Sequence, residues 1–302
     1  MKMEKVLEIQ DLTKRYDNFT AVDNVSLDIN EGDLIGLLGH NGAGKTTLFV
    51  MLTGLTIPTS GSIKLLGEDI EKNIMMLKEN ISFLPDNTLY YENLTAKENL
   101  EYFCDLADAD RSKVPELLEL VGMSKWADKK VGEFSKGMVQ RIGFAQALVK
   151  DPKVIFLDEP TAGLDPEARV EMNQLLKKLN ERGIAIVISS HVLSEIKDIC
   201  SKIAIMKQGK LVAFDTLENL CRKENSNVFL LETKDPETTV EVLSSVDSIK
   251  FVREGNIFRI TSEEDVRERI SSELNRMGVI ILNLRYETED LFDIFKKYYK
   301  VD

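Results

Sequence analysis

A glycine-rich segment near the N-terminus constrains the fold more than any other part of this 302-residue chain. Residues 39–46 read Gly-His-Asn-Gly-Ala-Gly-Lys-Thr and match the pattern G-x-x-x-x-G-K-[ST]. An apolar run at residues 34–38 precedes the segment, and a second one at residues 48–52 follows it. A glycine-rich turn that matches the pattern by chance need not lie between a strand and a helix. The segment is therefore expected to cradle phosphate oxygens with its backbone N–H groups and with the positive end of the next helix.

The hydrophobic pattern predicts an α/β fold built on a mixed sheet. Four segments are apolar on both faces, as parallel strands covered by helices require, and they lie at residues 34–38, 154–157, 184–188 and 203–206. Val25, Leu27 and Ile29 instead alternate with polar residues, which predicts a half-exposed strand of an antiparallel β subdomain. Helical periodicity dominates from about residue 68 to residue 150, so this stretch is expected to be a helical insertion.

A change of pattern divides the chain into two predicted domains. The first covers residues 1–220, the polar segment 221–226 is a linker, and residues 227–302 form an accessory C-terminal α+β domain. The elements predicted in the second domain follow the order βαββαβ, which is typical of a ferredoxin-like, split βαβ unit. Its last helix is expected at residues 289–299.

Charge and cysteine content narrow the class of protein. The chain has 39 Lys and Arg against 51 Asp and Glu, a net charge of −12, which counts against binding nucleic acid by neutralising phosphates. Its three cysteines are far apart, so neither a disulfide framework nor a zinc site is indicated. No apolar run reaches the 18 or so residues that span a bilayer, and no signal peptide is evident. A cytoplasmic protein is the expectation.

Two groups of residues carry the predicted chemistry. Lys45 is expected to reach the β- and γ-phosphates of a nucleotide, and the Thr46 hydroxyl to hold Mg²⁺. The strand at residues 154–157 delivers Asp158 and Glu159 at its carboxyl end, the edge where parallel sheets bind ligands. Asp158 is assigned to the Mg²⁺ side, and Glu159 to orienting or deprotonating the attacking water. Taken alone, an apolar strand ending in Asp-Glu is also an ordinary strand that leads into a charged turn.

Further motifs make the chain resemble the ATP-binding cassette (ABC) ATPases. Residues 134–138, Phe-Ser-Lys-Gly-Met, look like that family's signature, usually written LSGGQ, although Lys136 and Met138 replace its Gly and Gln. The resemblance implies that the segment, above all Ser135 and Gly137, contacts the γ-phosphate of ATP bound by the partner subunit. Without the other motifs, Ser135 is better interpreted as the N-cap of a helix.

The same resemblance assigns the other site residues. Gly163, Leu164 and Asp165 look like the D-loop at the dimer interface, and His191 looks like the switch histidine that contacts the γ-phosphate and positions the water. Asp86 stands where the family usually has a Gln, and its carboxylate can bind Mg²⁺ through a water. Tyr16 matches the aromatic residue that stacks on adenine. The nucleotide-binding residues are thus expected to be Tyr16, Gly39, Asn41, Gly42, Ala43, Gly44, Lys45, Thr46 and Thr47.

The resemblance is strongest to the branch of the family that powers sodium, drug and antibiotic exporters. It implies an ATP hydrolase that uses ATP and Mg²⁺, pairs with itself or a homologous cassette, and drives a separate membrane permease from the inner face of the membrane. Residues 87–94 are expected either to receive the permease or simply to pack the helical insertion. Two alternatives remain, a non-transport ABC ATPase acting on ribosomes or nucleic acid and a P-loop kinase. The chain has neither the second cassette nor the coiled coil usual in the former, and no acceptor site for the latter.

Overall fold

The computed structural model describes residues 4–70, 72–86, 88–221 and 227–287. These residues form two compact units with a boundary between Thr216 and Leu217. The predicted boundary at residue 220 thus falls within the helix Leu217–Cys221, which opens the second unit. Residues 222–226 of the predicted linker lie outside the described part of the chain.

The first unit contains ten strands and seven α-helices within the described residues, together with three short 3₁₀ turns. Its strands are β1 Lys5–Tyr16, β2 Phe19–Asn30, β3 Leu34–Leu38, β4 Ser60–Leu65, β5 Glu68–Asp69, β6 Ile81–Leu84, β7 Val154–Asp158, β8 Ala185–Ser190, β9 Lys202–Lys207 and β10 Lys210–Thr216. Its helices are α1 Lys45–Leu52, α2 Ile74–Asn80, α3 Ala96–Leu106, α4 Val114–Leu120, α5 Lys136–Ala147, α6 Pro166–Asn180 and α7 Leu193–Ile196.

A six-stranded sheet of order β10-β9-β3-β8-β7-β6 lies at the centre of this unit. Neighbouring strands from β9 to β6 pair in parallel, and β10 joins antiparallel to β9 at the edge. Every residue of β3, β7 and β8 is buried, as expected for parallel strands covered on both faces. The predicted α/β fold with a mixed sheet is therefore confirmed.

A second sheet of order β2-β1-β4-β5 is antiparallel throughout. Its alternating residues Val25, Leu27 and Ile29 all point into the core, as the sequence pattern predicts. That core is shared with α1 and the central sheet, and the rings of Phe49 and Phe156 meet at its centre with centroids 5.1 Å apart. Burying each such ring stabilises the fold by about 1.5–3 kcal/mol, so α1 is fixed firmly against both sheets.

The stretch predicted to be helical from about residue 68 is not helical throughout. β6 lies inside it and pairs in parallel with β7 as a strand of the central sheet. Four residues are too few for periodicity to separate a strand from its helical neighbours. The helical part proper runs from α3 to α5, and α3 begins with a capping box in which Thr95 and Glu98 bond each other's backbone N–H.

The second unit has α8 Leu217–Cys221, β11 Asn227–Thr233, α9 Pro236–Ser245, β12 Ile249–Glu254, β13 Ile257–Ser262, α10 Arg267–Arg276 and β14 Ile281–Tyr286. From β11 onward the order is βαββαβ, as the sequence predicts. The four strands form an antiparallel sheet of order β12-β13-β11-β14. Phe229 and Phe258 of the sheet pack with Val242 of α9 and Ile270 of α10 in a core of their own. The predicted last helix, residues 289–299, lies outside the described residues.

No helix among the described residues has the length and apolar character needed to cross a bilayer.

Candidate nucleotide-binding site

The glycine-rich loop joins the carboxyl end of β3 to the first residue of α1. Gly42 and Gly44 have φ angles of +80° and +102°, a region that favours glycine. A Cβ atom at Gly44 would lie 2.4 Å from the backbone oxygen of Ala21, so a side chain cannot be placed there without moving β2. The loop therefore holds the N-terminal N–H groups of α1 open at the edge of the sheet, in the geometry that binds phosphate.

Lys45 is buried at the base of this loop. Its ammonium group donates a hydrogen bond to the backbone oxygen of Gly39 and lies 3.5 Å from Glu159 Oε1. A buried cation needs compensating negative charge, which Glu159 and the carbonyl dipole supply here and which nucleotide phosphates can also supply. The side chain is thus positioned for the phosphate contact predicted from the sequence.

The end of β7 places Asp158 against Thr46. Thr46 Oγ1 donates to Asp158 Oδ2 over 2.6 Å, and Ser189 Oγ donates to the other carboxylate oxygen, Oδ1. Both oxygens of this buried carboxylate therefore have a hydroxyl partner. The predicted Mg²⁺ residues Thr46 and Asp158 are brought into direct contact, although they are far apart in the sequence.

Glu159 lies between a cation and a histidine. One carboxylate oxygen faces Lys45, and the other, Oε2, is 2.9 Å from His191 Nδ1. Its backbone has a φ of +50°, an uncommon conformation for a residue other than glycine, and its N–H donates to Ser189 Oγ. The arrangement brings together a carboxylate able to take a proton from water, a histidine that orients it and a nearby positive charge.

A cavity of about 340 Å³ opens in front of these groups. It is lined by Phe19, Ala21, His40, Asn41, Gly42, Ala43, Gly44, Lys45, Thr46, Thr47, Asp86, Asp158 and Glu159. The predicted loop residues from Asn41 to Thr47 thus share one cavity with both strand-end carboxylates and with Asp86. His191 and Gly39 do not line the cavity. His191 contacts the lining residue Glu159, and the backbone oxygen of Gly39 accepts a hydrogen bond from the lining residue Lys45.

The aromatic side of the cavity differs from the expectation. Tyr16 does not line it, whereas Phe19, which sequence reasoning missed, does. The two residues are register partners at the tip of the β1–β2 hairpin, and both are exposed. The Lys14 ammonium lies 5.0 Å from the Tyr16 ring centroid. The hairpin tip therefore places two aromatic side chains side by side, of which Phe19 lines the cavity.

We expect Tyr16→Ala to raise the Kd of ATP about tenfold, since stacking a base on an aromatic side chain is worth about 1–3 kcal/mol. Tyr16→Phe keeps the ring and should bind ATP normally in the same titration. Normal ATP binding by Tyr16→Ala, together with weak binding by Phe19→Ala, would transfer the stacking role to Phe19.

The signature residues lie at the start of α5. Ser135 is the N-cap, and its hydroxyl accepts a hydrogen bond from the Met138 N–H over 3.3 Å. Ser135 and Lys136 are exposed, and no residue from Ser135 to Met138 lines the nucleotide cavity. The capping role and an exposed surface for a partner's nucleotide are therefore compatible.

The predicted D-loop lies beside the signature residues. A Cβ atom at Gly137 would come within ordinary contact distance of the Leu164 and Ala168 side chains, and one at Gly163 would meet the Lys136 ammonium. Leu164 is buried, and Asp165 caps α6 by accepting from the Ala168 N–H over 2.8 Å. Residues 135–138 and 163–165 thus form one continuous surface, the signature surface.

A buried carboxylate that sequence reasoning missed links the ends of β7 and β8. Glu195 Oε2 accepts hydrogen bonds from Thr161 Oγ1 over 3.2 Å and from Ser190 Oγ over 2.9 Å. Arg169 on α6 lies 3.9 Å from its other oxygen, Oε1. Nothing in the local sequence signals this cluster, because it joins residues 161–169 to residues 190–195.

Comparison with known proteins agrees with this geometry. The family model described as "ABC transporter" matches residues 22–162. The bacitracin transport ATP-binding protein BcrA of Enterococcus faecalis is 36% identical over 300 residues, covering 98% of this chain and 97% of that protein. The Nod factor export ATP-binding protein I of Burkholderia pseudomallei (strain K96243) is 34% identical over 292 residues, covering 95% of each.

Solved structures give the same result. The dimeric post-hydrolysis state of the ATP-binding cassette MJ0796, bound to ADP and Pi, superposes with a TM-score of 0.63 at 27% identity, covering 70% of this chain and 98% of that chain. The ADP conformation of MJ1267, an ATP-binding cassette of an ABC transporter, gives a TM-score of 0.66 at 26% identity, covering 71% and 92%. The chain belongs to the ATP-binding proteins of ABC transporters and is an ATP hydrolase.

Proposed function

We propose that this chain is the ATP-hydrolysing subunit of an exporter and drives a separate membrane permease by closing as a dimer on ATP. The observation that carries the proposal is the separation of the nucleotide cavity from the signature surface. The cavity lacks any signature residue, and the exposed Ser135 lies on a different element from the phosphate loop. A second chain that supplies this surface completes each site.

The comparisons support both parts of the proposal. One structural neighbour is a dimeric cassette bound to ADP and Pi. Two relatives are named for bacitracin transport and Nod factor export, and their alignments extend over at least 95% of this chain, so they include its second unit. The net charge of −12 counts against the alternative of an ATPase that acts on nucleic acid or ribosomes.

The residues around Asp158 suit a Mg²⁺ ion bound together with nucleotide. Mg²⁺ prefers oxygen ligands and is usually held by one or two carboxylates, substrate phosphates and waters. The Thr46 hydroxyl and the Asp158 carboxylate supply such oxygens side by side, and Asp86 adds a third oxygen donor group to the same cavity. The ion would neutralise charge on the phosphates. We assign Thr46 and Asp158 to the ion directly and Asp86 to a contact through water.

The remaining groups fit hydrolysis by an activated water. Glu159 accepts the proton of the attacking water, while His191 holds the Glu159 carboxylate in orientation through the 2.9 Å contact. Lys45, next to Glu159, binds the phosphates and stabilises the charge that develops on them. Dimer closure brings Ser135 and Gly137 of the partner subunit to the γ-phosphate and excludes water from the site.

Ser135→Arg tests the dimer. A bulky cation on the signature surface is expected to prevent closure on the partner's nucleotide, lowering ATPase activity at least about tenfold and removing its cooperativity in ATP. The monomer should still bind ATP with normal affinity in a titration at low protein concentration.

Ser124→Arg is the matched control, because Ser124 is also exposed and lies on the helical part outside the signature surface. It should remain active and cooperative. If Ser135→Arg weakened ATP binding by the monomer, Ser135 would belong to the chain's own nucleotide site, and the proposed dimer would be wrong.

An exposed apolar surface on the helical part suits the permease. Leu89 is 91% exposed, and Tyr91, Tyr102 and Leu106 are also exposed. The Tyr91 and Tyr102 hydroxyls are 3.1 Å apart, with their rings packed edge to face. Tyr90 turns inward instead and donates to Gln146 Oε1 over 2.9 Å. The predicted segment 87–94 therefore both packs against the helices and exposes side chains at the surface. Its first residue, Asn87, lies outside the described part of the chain.

We infer that these four exposed side chains, Leu89, Tyr91, Tyr102 and Leu106, receive a cytoplasmic segment of the permease. Exposed apolar side chains grouped on one surface are typical of protein interaction sites. Such docking would hold the chain peripherally at the inner face of the membrane.

A further inference from the structure

One hydroxyl group connects the side chain of Asp158 to the backbone of Glu159. Ser189 is fully buried in β8, directly opposite Asp158 in the parallel register. Its Oγ donates to Asp158 Oδ1 and accepts the N–H of Glu159 over 3.0 Å. The hydroxyl thus uses both its donor and an acceptor position on consecutive residues of the site.

The bond to Asp158 holds the plane of the carboxylate, so that one of its oxygens faces the phosphate loop. With Oδ1 held by Ser189, the carboxylate presents Oδ2 to the Thr46 hydroxyl, where a 2.6 Å hydrogen bond forms. Rotation of the carboxylate would break both contacts in a buried environment, where unsatisfied polar atoms are costly. Ser189 therefore determines the direction of the oxygen on the metal side.

The bond to Glu159 holds an uncommon backbone conformation. At φ +50° the chain turns sharply after β7, and this turn aims the Glu159 side chain between Lys45 and His191. A left-handed residue other than glycine persists when surrounding contacts hold it there. The Glu159 N–H has its partner in Ser189, so the turn is tied to β8.

We propose that Ser189 is a positioning residue for ATP hydrolysis. It sets the Asp158 carboxylate for Mg²⁺ and the Glu159 carboxylate for the attacking water, an inference that rests on the roles proposed above for those two residues. Ser189 itself touches neither the nucleotide cavity nor a reacting atom. Ser189 therefore acts on hydrolysis through Asp158 and Glu159 at the end of β7.

The neighbouring serine provides a matched control. Ser190 is buried in the same strand, but its hydroxyl donates to Glu195 Oε2 and accepts the backbone N–H of Val192, each over 2.9 Å. Removing either hydroxyl leaves buried partners without a hydrogen bond, so the two alanine variants should lose similar thermal stability. Only Ser189→Ala releases Asp158 and Glu159.

The experiment compares Ser189→Ala, Ser190→Ala and Asp158→Asn in the full chain. For each variant, kcat and KM are measured, and binding of a fluorescent ATP analogue is titrated with Mg²⁺ and in EDTA. Ser189→Ala is expected to lower kcat about 10- to 100-fold and to raise the Mg²⁺ concentration for half-maximal binding severalfold, as expected when a hydrogen bond to a charged group is lost. Its binding in EDTA and its KM should change less than about twofold. Ser189→Cys, which keeps the branching of the side chain but has a larger sulfur atom that donates weakly, should change in the same direction.

The outcomes separate the two assignments. If Ser189→Ala loses stability like Ser190→Ala and keeps normal kcat and Mg²⁺ dependence while Asp158→Asn loses them, Ser189 is structural and the inference is overturned. If Asp158→Asn also keeps normal Mg²⁺ dependence, the metal role of Asp158 is wrong as well. The inference is supported if Ser189→Ala and Asp158→Asn both alter the Mg²⁺ dependence while Ser190→Ala keeps normal kcat and normal Mg²⁺ dependence.

Discussion

Glu159→Gln should hydrolyse ATP at least about 100-fold more slowly than the natural chain and still bind ATP tightly. Removing a general base typically costs 10²- to 10⁴-fold in rate. The amide is similar in shape, so the contacts with Lys45 and His191 lose charge rather than geometry. Because ATP is no longer consumed, the closed dimer should accumulate and elute as a dimer from a sizing column when ATP and Mg²⁺ are present.

Glu254→Gln is a suitable control for this experiment, because Glu254 is exposed on β12 of the second unit. It should hydrolyse ATP normally and stay monomeric under the same conditions. Rapid hydrolysis by a monomeric Glu159→Gln would contradict the water-activating role and would place the general base elsewhere.

Lys45→Ala should lose ATP binding by about 100-fold or more. The substitution removes a buried ammonium group that faces the phosphate loop and leaves the Glu159 carboxylate without its neighbouring cation. Hydrogen bonds to charged groups contribute about 1.5–3 kcal/mol each, and this ammonium is expected to contact two phosphates. Repulsion between Glu159 and the γ-phosphate then adds to the loss.

Calorimetric titration with ATP in the presence of Mg²⁺ measures this loss directly. Lys250→Ala on the exposed face of β12 removes the same charge from the second unit and should bind ATP normally. Lys45→Arg keeps the charge but not the compact shape, so it should bind ATP better than Lys45→Ala without full recovery. Normal ATP affinity in Lys45→Ala would show that the phosphate loop has been misinterpreted.

The core of the site was predictable because parallel strands end at the same edge of a sheet. The phosphate loop follows β3, Asp158 ends β7 with Glu159 directly after it, and His191 follows β8. These strands are neighbours in the order β3-β8-β7. Placing three motifs at three strand ends is therefore enough to bring them together. The βαββαβ order of the second unit was predictable for a similar reason, because each element has its own clear period.

Contacts between distant segments were not predictable. Ser189 meets Asp158 and Glu159 about 30 positions away, and Glu195 joins Thr161 at a similar distance. No local pattern distinguishes these hydroxyls from other serines at the end of a strand. The position of Phe19 in the cavity lining depends on the turn of the β1–β2 hairpin, at whose tip Phe19 is the register partner of Tyr16.

Short strands and domain boundaries were also difficult to predict from the sequence. The four residues of β6 lie between helical segments, and their strand pairing depends on β7, which is some 70 residues away. The domain boundary was placed a few residues late because α8 continues the apolar pattern of β10 before the polar segment begins. Both features depend on packing that a single sequence does not display.

We propose that ATP-driven closure of this chain powers a separate permease. Tagged Glu159→Gln chain, purified from detergent-solubilised membranes of its own cell with ATP and Mg²⁺ present, tests it most directly. A polytopic membrane protein in a fixed ratio to the cassette, identified by mass spectrometry and lost when Leu89→Asp is added to alter the exposed apolar surface, is the result we expect. Recovery of ribosomes or nucleic acid without any membrane protein would contradict the claim.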